Sequence, residues 1–131
     1  MKSSFNIVFT DDIDSKFGGY AKFPNLLQKY IGKKVEILIR PKYRNDIGLL
    51  KHELMHVEQF NKYLFYCIHY NLSQAFRYKM ELEAYNEQIK EYQYKNVTQA
   101  QWIIDALAIK YNLDIKSDDV LKDVSNLITR S

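Results

Sequence analysis

The sequence lacks the features that mark secreted, disulfide-bonded and membrane proteins. Its 131 residues include one cysteine, Cys67, so no disulfide can form within the chain, and the apolar neighbours of Cys67 favour a buried thiol in a reducing compartment. No apolar run approaches the roughly 18 residues that span a bilayer. The first residues reach Asp11 and Asp12 too soon for a secretory signal. We therefore expect a cytoplasmic protein with no signal peptide and no transmembrane segment.

Linkers and repeats are also missing. The chain has four glycines, of which only Gly18 and Gly19 are adjacent, and it has no internal repeat or low-complexity tract. Its length suffices for one compact domain but not for two with independent cores. We expect a single domain over residues 1–131, with its core at about residues 5–95 and a helical extension at about residues 98–129.

A strong excess of charge of one sign is absent as well. The formal net charge is +3, and the basic residues are scattered among acidic ones, which indicates no particular partner. The densest basic stretch, Lys33 to Arg44, alternates with apolar residues as a half-buried strand does. No predicted helix has a basic face. The sequence therefore predicts neither a nucleic-acid partner nor a membrane partner.

The first third of the chain carries the strand signals. Val35, Ile37 and Ile39 alternate with their neighbours as far as Pro41, and this is the clearest strand pattern in the sequence. The other elements predicted here are strands at Phe5–Thr10 and Tyr20–Phe23, a loop at Asp11–Lys16 between them, and a short helix at Asn25–Ile31 that Gly32 closes.

The rest of the chain predicts four helices. The first begins near Ile47 behind a cap at Asn45 or Asp46, and the second runs from about Ser73 to Tyr94. The last two are amphipathic and carry no chemistry, so we expect them to cover the core or to form an oligomer surface. Their predicted starts are a capping box of Thr98 with Gln101 and a cap at Ser117.

One motif carries chemistry. Residues 52–56 read HELMH, a His-Glu-x-x-His on the first helix, in a chain with only three histidines. At about 100° per residue, His52 and His56 lie one turn apart on one face, within reach of one zinc ion. Glu53 points to the side, where it can act as the base for a metal-activated water. The alternative is an ordinary amphipathic helix on which Glu53 is a surface charge.

A catalytic zinc needs a third protein ligand. The metzincin continuation is excluded because Gln59 and Lys62 stand where its glycine and histidine would be. His69 is expected on the same helix or just past its end, too far along the axis to reach the ion. The remaining donors are Glu81 and Glu83 on the second helix, which can fold back antiparallel across residues 70–72.

Only one of these two carboxylates can face the ion, because two residues on a helix are separated by about 200° of rotation. Glu81 shares its face with Arg77, Tyr78 and Tyr85, a group suited to a cleft. Glu83 shares its face with other charged residues, as a solvated stripe does. We therefore expect the ligands to be His52, His56 and Glu81.

The stretches VEILI, KHELMHVEQ and MELEAY together resemble the gluzincin class of zincin metallopeptidases, in particular small bacterial and phage proteins of this kind. The resemblance covers about residues 19–88. It implies a zinc ion, peptide-bond hydrolysis and an edge strand that pairs with substrate, and it adds phage association to the expected locations. In the family frame Glu-x-x-Ala-Asp, Glu81 is the third ligand, but Tyr85 replaces the aspartate that orients a ligand histidine.

Tyr85 is therefore a candidate catalytic residue, as a hydrogen-bond partner or as an oxyanion donor. Arg77 and Tyr78 are further candidates for stabilising the transition state, and Gln59 is a candidate for contacting a ligand histidine. We also expect the segment from Gly19 to Lys22 to form an exposed edge strand at the rim of the site, where an extended peptide can add. A plain loop leading into the next helix is the alternative.

These observations predict an α+β fold, a minimal zincin-like domain. A small mixed sheet of about three short strands packs on an active-site helix and a ligand helix, followed by two C-terminal helices. The predicted function is a zinc-dependent metallopeptidase acting on peptide or protein substrates. The alternative is a zincin-like protein that binds metal without hydrolysis, as a structural or interaction component of an oligomer or larger assembly.

Overall fold

Three short strands form a mixed sheet in the first third of the chain. The computed structural model describes residues 5–25, 28–29, 31–111 and 113–130. The strands β1 (Phe5–Phe9), β2 (Gly19–Lys22) and β3 (Val35–Ile39) are arranged in the order β1-β3-β2. β3 pairs in parallel with β1 and antiparallel with β2. The mixed three-stranded sheet is confirmed, and β2 lies at one edge of it.

The alternation in β3 determines which face of the sheet is covered. Val35, Ile37 and Ile39 are buried whereas the residues between them are half-buried. Apolar side chains at every second position of a strand point to one face. Together with Val57 they form a small core against the first long helix, which places that helix directly beneath β2 and β3.

Five α-helices account for most of the remaining described residues. Asp46 accepts a hydrogen bond from the Leu49 backbone N–H and so caps the first helix, as one of the two predicted caps. The helices are α1 (Ile47–Lys62), α2 (Tyr66–Leu72), α3 (Gln74–Tyr92), α4 (Gln101–Ile109) and α5 (Ser117–Arg130). The α+β class is confirmed.

The connection between α1 and α3 differs from the prediction. His69 lies neither on α1 nor just past its end but in a separate short helix, α2. The chain leaves α1 at Lys62, and Phe65 adopts a left-handed conformation with φ of 58°. That conformation is uncommon for a bulky residue, so the turn was not visible in the sequence. As a result α2 stands beside the two long helices.

The start of α4 also corrects a prediction. The capping box forms between Asn96 and Gln99, not between Thr98 and Gln101, and it opens a 3-10 turn at Val97–Ala100 that leads into α4. Asn96 is as suitable a cap as threonine, and the sequence alone did not distinguish the two frames.

A second apolar core joins the C-terminal helices to α3. Tyr85 and Ile89 of α3 pack with residues of α4 and α5, so the two C-terminal helices cover the core, which is one of the two roles predicted for them. No helix among the described residues is both long enough and apolar enough to cross a membrane. The helix predicted at Asn25–Ile31 falls partly outside the described residues. The buried members of this core outside α3 are Ala100, Ile103, Ile104, Ala106, Leu107, Val120, Val124 and Ile128.

Candidate metal centre

Two helices bring three potential ligands together. α1 carries His52 and His56 one turn apart, and α3, which packs along α1, carries Glu81. His52 Nε2 lies 3.2 Å from Glu81 Oε1, and His56 Nε2 lies 3.2 Å from Glu81 Oε2. All three residues are buried, and the three ligand atoms lie within 4.8 Å of one another. The structure thus brings together the three predicted ligands.

The chemistry of these donors fits a zinc ion. Tetrahedral zinc with bonds of about 2.0–2.1 Å sets its ligand atoms about 3.3 Å apart, close to the two nitrogen-to-oxygen distances of 3.2 Å. Glu81 Oε1 is buried and makes no hydrogen bond of good geometry within the described part of the chain. A buried carboxylate oxygen without a hydrogen bond is costly unless a cation satisfies it. Two imidazoles and one carboxylate are one of the ligand sets found in catalytic zinc sites, which keep a fourth position open.

Gln59 holds His56 in place. Its side-chain oxygen lies 2.9 Å from His56 Nδ1 and accepts a hydrogen bond from the Tyr66 hydroxyl at 3.1 Å. Its amide nitrogen donates to the Met80 carbonyl at 2.9 Å, which fixes the orientation of the amide. His56 Nδ1 therefore carries a proton, which leaves Nε2, the nitrogen that faces Glu81, as the one that would bind a metal ion. Because Met80 precedes Glu81, one glutamine side chain tethers both ligand helices.

His52 has a different environment. Its Nδ1 is buried and has no hydrogen-bond partner among the described residues. The ring of Tyr85 stands edge-on to the imidazole, with ring centroids 4.4 Å apart. The Tyr85 hydroxyl is 2.7 Å from the hydroxyl of Tyr111. Tyr85 therefore positions His52 by ring packing, and its hydroxyl does not orient the imidazole as the aspartate of the family frame would.

The charges at the site reflect the close approach of these groups. Burial alone would raise the pKa of Glu81, but the imidazoles of His56 and His52 hold it well below its usual value. Burial would lower the pKa of His56, but the Glu81 carboxylate raises it to about 9. Tyr70 on α2 donates a hydrogen bond of 2.5 Å to Glu81 Oε2. The carboxylate is thus ionised and requires a cation, either a proton on the facing nitrogen or a metal ion.

Glu53 lies beside the ligands with its carboxylate uncommitted. It is 5% exposed, accepts no hydrogen bond from a described residue, and has a pKa that burial raises. β2 passes close to it, since a Cβ added to Gly19 would lie 3.3 Å from Glu53 Oε2. A buried carboxylate of raised pKa next to an open position is suited to accept and return a proton.

Two cavities meet at this centre. The first, of about 240 Å³, runs along β2 and is walled on the other side by Tyr66 and Tyr70. The second, of about 390 Å³, lies on the His52 side and is walled by Tyr92, Trp102 and other aromatic residues. Both reach His52 and Glu53. The residues common to the two cavities are Phe17, Gly19, His52, Glu53 and Tyr111.

Two residues that the sequence placed near the chemistry have structural contacts instead. Arg77 donates hydrogen bonds to the backbone carbonyls of Tyr70, Asn71 and Tyr111, and Tyr78 donates to Asp123 on α5. Neither lines either of the two cavities at the metal centre. The prediction that they stabilise a transition state is therefore not supported by their positions, because their side chains tie loops and helices to α3.

Glu83 is not one of the clustered ligands, as predicted, but it is not part of a solvated stripe. It is half-buried, and its Oε1 is shielded from solvent without a hydrogen-bond partner in the described chain. The ion pair on that side of α3 joins Lys90 to Glu87. His69 packs against Phe76, in agreement with a histidine that belongs to an aromatic cluster.

Sequence reasoning missed three tyrosines that surround the site: Tyr66, Tyr70 and Tyr111. Two of them lie on α2, whose existence was not predicted, and Tyr111 follows α4. With eleven tyrosines in the chain, composition favoured core packing for each of them. Only the position of Tyr66 and Tyr70 one helical turn apart, just after the motif helix, was available as a signal.

Comparisons of the chain with protein-family models, curated proteins and solved structures gave no match. The resemblance to gluzincins therefore stays a prediction from the motif residues.

Proposed function

We propose that the protein is a zinc-dependent peptidase in which His52, His56 and Glu81 hold the ion and Glu53 is the general base. The observation that carries the proposal is the convergence of two imidazole nitrogens and a carboxylate on one buried point, with a second, unpaired carboxylate next to it. When bound, zinc lowers the pKa of water and polarises a carbonyl group. No other part of the described chain offers three such ligands together.

Glu53 performs the proton transfers in this proposal. Its carboxylate takes a proton from the attacking water and gives it to the leaving amine, which requires a pKa near the working pH. Burial raises the pKa of Glu53 in that direction. The Tyr70 hydroxyl already donates to Glu81. The Tyr111 hydroxyl, which lies 2.7 Å from that of Tyr85, belongs to a residue that lines both cavities and is our proposed donor to an oxyanion.

A peptide is the substrate class that the edge strand β2 favours. Ile39 accepts a hydrogen bond from the Thr10 backbone N–H on the β1 side, and Arg40 N–H donates to the Gly18 carbonyl on the β2 side. Backbone groups in an antiparallel ladder face the partner strand at alternate residues, so Gly19 and Ala21 turn their N–H and C=O groups to the open edge. An extended peptide can pair there and pass directly over Glu53.

The test compares the wild-type protein with Glu53→Gln after both are loaded with zinc. We expect equal zinc content, because Glu53 is not a ligand, and loss of cleavage of an unfolded protein substrate in the variant. Glu58→Gln, on an exposed face of the same helix, is the matched control and should cleave as the wild type does.

Fully metallated wild-type protein that cleaves no member of a broad peptide library would contradict the peptidase assignment. The protein would then be a zinc-binding component without hydrolytic activity. Cleavage that survives Glu53→Gln at the wild-type rate would show that another group is the base.

A further inference from the structure

The second cavity touches only the first residue of β2, so it cannot offer a ligand the strand pairing that the first cavity offers. β2 borders the first cavity along its length, from Gly19 to Lys22. At the second cavity Gly19 is the one residue of β2 on the wall, together with Phe17 and Gly18 before it. A peptide can thus pair with β2 in the first cavity, on one side of Glu53. In the second cavity, on the other side, side chains must make the contacts with it.

The direction of an added peptide follows from β2. Antiparallel pairing is the slightly more stable arrangement of two strands. A peptide antiparallel to β2 runs from the Lys22 end toward the Gly19 end, so its N-terminal part lies in the first cavity. Beyond Glu53 its C-terminal part enters the second cavity.

Among the described residues, one lysine and no arginine line the second cavity. Lys110, at the C-terminal end of α4, lines it among aromatic side chains. Lys110 forms no salt bridge with any residue that the structure describes, and burial lowers the pKa of its ammonium group. Asp46 also lines this cavity, and its Oδ1 accepts hydrogen bonds from the Tyr92 hydroxyl at 2.6 Å and from the Leu49 backbone N–H. A partly desolvated cation without a counter-ion can form a charge-assisted hydrogen bond with an anion that enters the cavity.

We propose that the second cavity binds a carboxylate on the C-terminal side of the scissile bond, and that Lys110 is the residue that recognises it. This inference rests on the proposed peptidase function and names its preferred substrate. The carboxylate is either the C-terminus of a peptide or an acidic side chain near it, and both present the same group to the ammonium. In the first case the protein removes residues from the C-terminal end of peptides.

Trp102 gives a readout that does not require catalysis. It is the single tryptophan of the chain and lines the second cavity near Tyr92. The experiment titrates zinc-loaded Glu53→Gln protein with three acetylated tripeptides while following tryptophan fluorescence. The peptides are acetyl-Ala-Ala-Phe with a free carboxylate, the same peptide with a C-terminal amide, and acetyl-Ala-Ala-Glu with a C-terminal amide.

We expect at least one carboxylate peptide to bind about tenfold or more tighter than the neutral Phe amide, as a charge-assisted hydrogen bond allows. Preference for the free acid identifies the C-terminus, and preference for the Glu amide identifies a side chain. Lys110→Met should abolish the difference and Lys110→Arg should restore most of it, whereas Lys116→Met, at an exposed lysine outside the cavity, should preserve it.

Equal affinity for all three peptides, or a carboxylate preference that survives Lys110→Met, would overturn the inference. Its failure is separable from failure of the peptidase proposal. Cleavage by the wild type without carboxylate preference contradicts only the role of Lys110. Carboxylate-selective binding without any cleavage by the wild type contradicts only hydrolysis.

Discussion

The two histidines of one motif lie in contrasting surroundings. His56 is held by hydrogen bonds, with Gln59 fixing its tautomer and Tyr66 supporting Gln59. His52 has a buried Nδ1 without a partner among the described residues and is held by the ring of Tyr85. Hydrogen bonds specify both orientation and protonation state, whereas packing specifies orientation alone. We therefore expect that replacing the polar residues around His56 lowers metal affinity. Replacing the residues packed around His52 should instead lower mainly the free energy of unfolding.

The largest expected effect is that of replacing Glu81, whose carboxylate faces both His52 and His56. Glu81→Ala removes a ligand, so zinc affinity should fall by orders of magnitude in a competition titration with a chelator. Glu83→Ala on the same helix is the matched control and should retain zinc at wild-type affinity. Metal loss in Glu83→Ala rather than Glu81→Ala would show that α3 is rotated from the register described above.

Gln59→Leu tests the His56 side. It removes the amide oxygen that lies 2.9 Å from His56 Nδ1 and leaves the Tyr66 hydroxyl, at 3.2 Å, as the remaining partner. Loss of such an amide partner typically lowers metal affinity about 10- to 100-fold. Gln88→Leu removes another buried glutamine of similar exposure, whose amide donates to Tyr92 and not to a ligand. Zinc affinity should be unchanged in this control. Equal effects of the two substitutions would mean that Gln59 acts only through stability.

These two predictions indicate what the sequence determines. The spacing of His52 and His56 is local, because one helical turn fixes it whatever the rest of the chain does. The choice between Glu81 and Glu83 needed only helical rotation, and β3 needed only alternation. The partners of the ligands were not predictable, because Tyr66 depends on the turn that Phe65 makes. Gln59 was a candidate on α1, but its contact with Met80 depends on how α3 packs against α1.

Gly48→Ala tests whether the close packing of the Tyr92 ring against α1 stabilises the part of the fold on the His52 side of the site. A Cβ at this position would lie 2.6 Å from the ring of Tyr92, so we expect a loss of about 1–3 kcal/mol in the free energy of unfolding, as for overpacking. Without the ring, alanine should instead stabilise the helix by up to about 1 kcal/mol. Denaturant unfolding measures the effect of Gly48→Ala on the free energy of unfolding in the wild-type and Tyr92→Leu backgrounds. The substitution should destabilise the first and stabilise the second. A stabilising Gly48→Ala in the wild-type background would contradict the contact.

The smallest expected effect is that of Tyr85→Phe. It keeps the ring against His52 and removes only the hydroxyl that contacts Tyr111, so unfolding should become easier by about 1 kcal/mol. Zinc affinity should stay within a few-fold of the wild-type value in the chelator titration. A loss as large as that of Gln59→Leu would show that the two sides of the site are held in the same way.

The most direct test of the account is a zinc-edge anomalous map from crystals of protein purified without chelator, together with metal analysis of the same sample. We expect about one zinc per chain, with a single strong peak between His52 Nε2, His56 Nε2 and the Glu81 carboxylate, and its loss in the His52→Ala, His56→Ala double variant. Stoichiometric zinc that persists in the double variant, or a peak away from these three residues, would contradict the assignment.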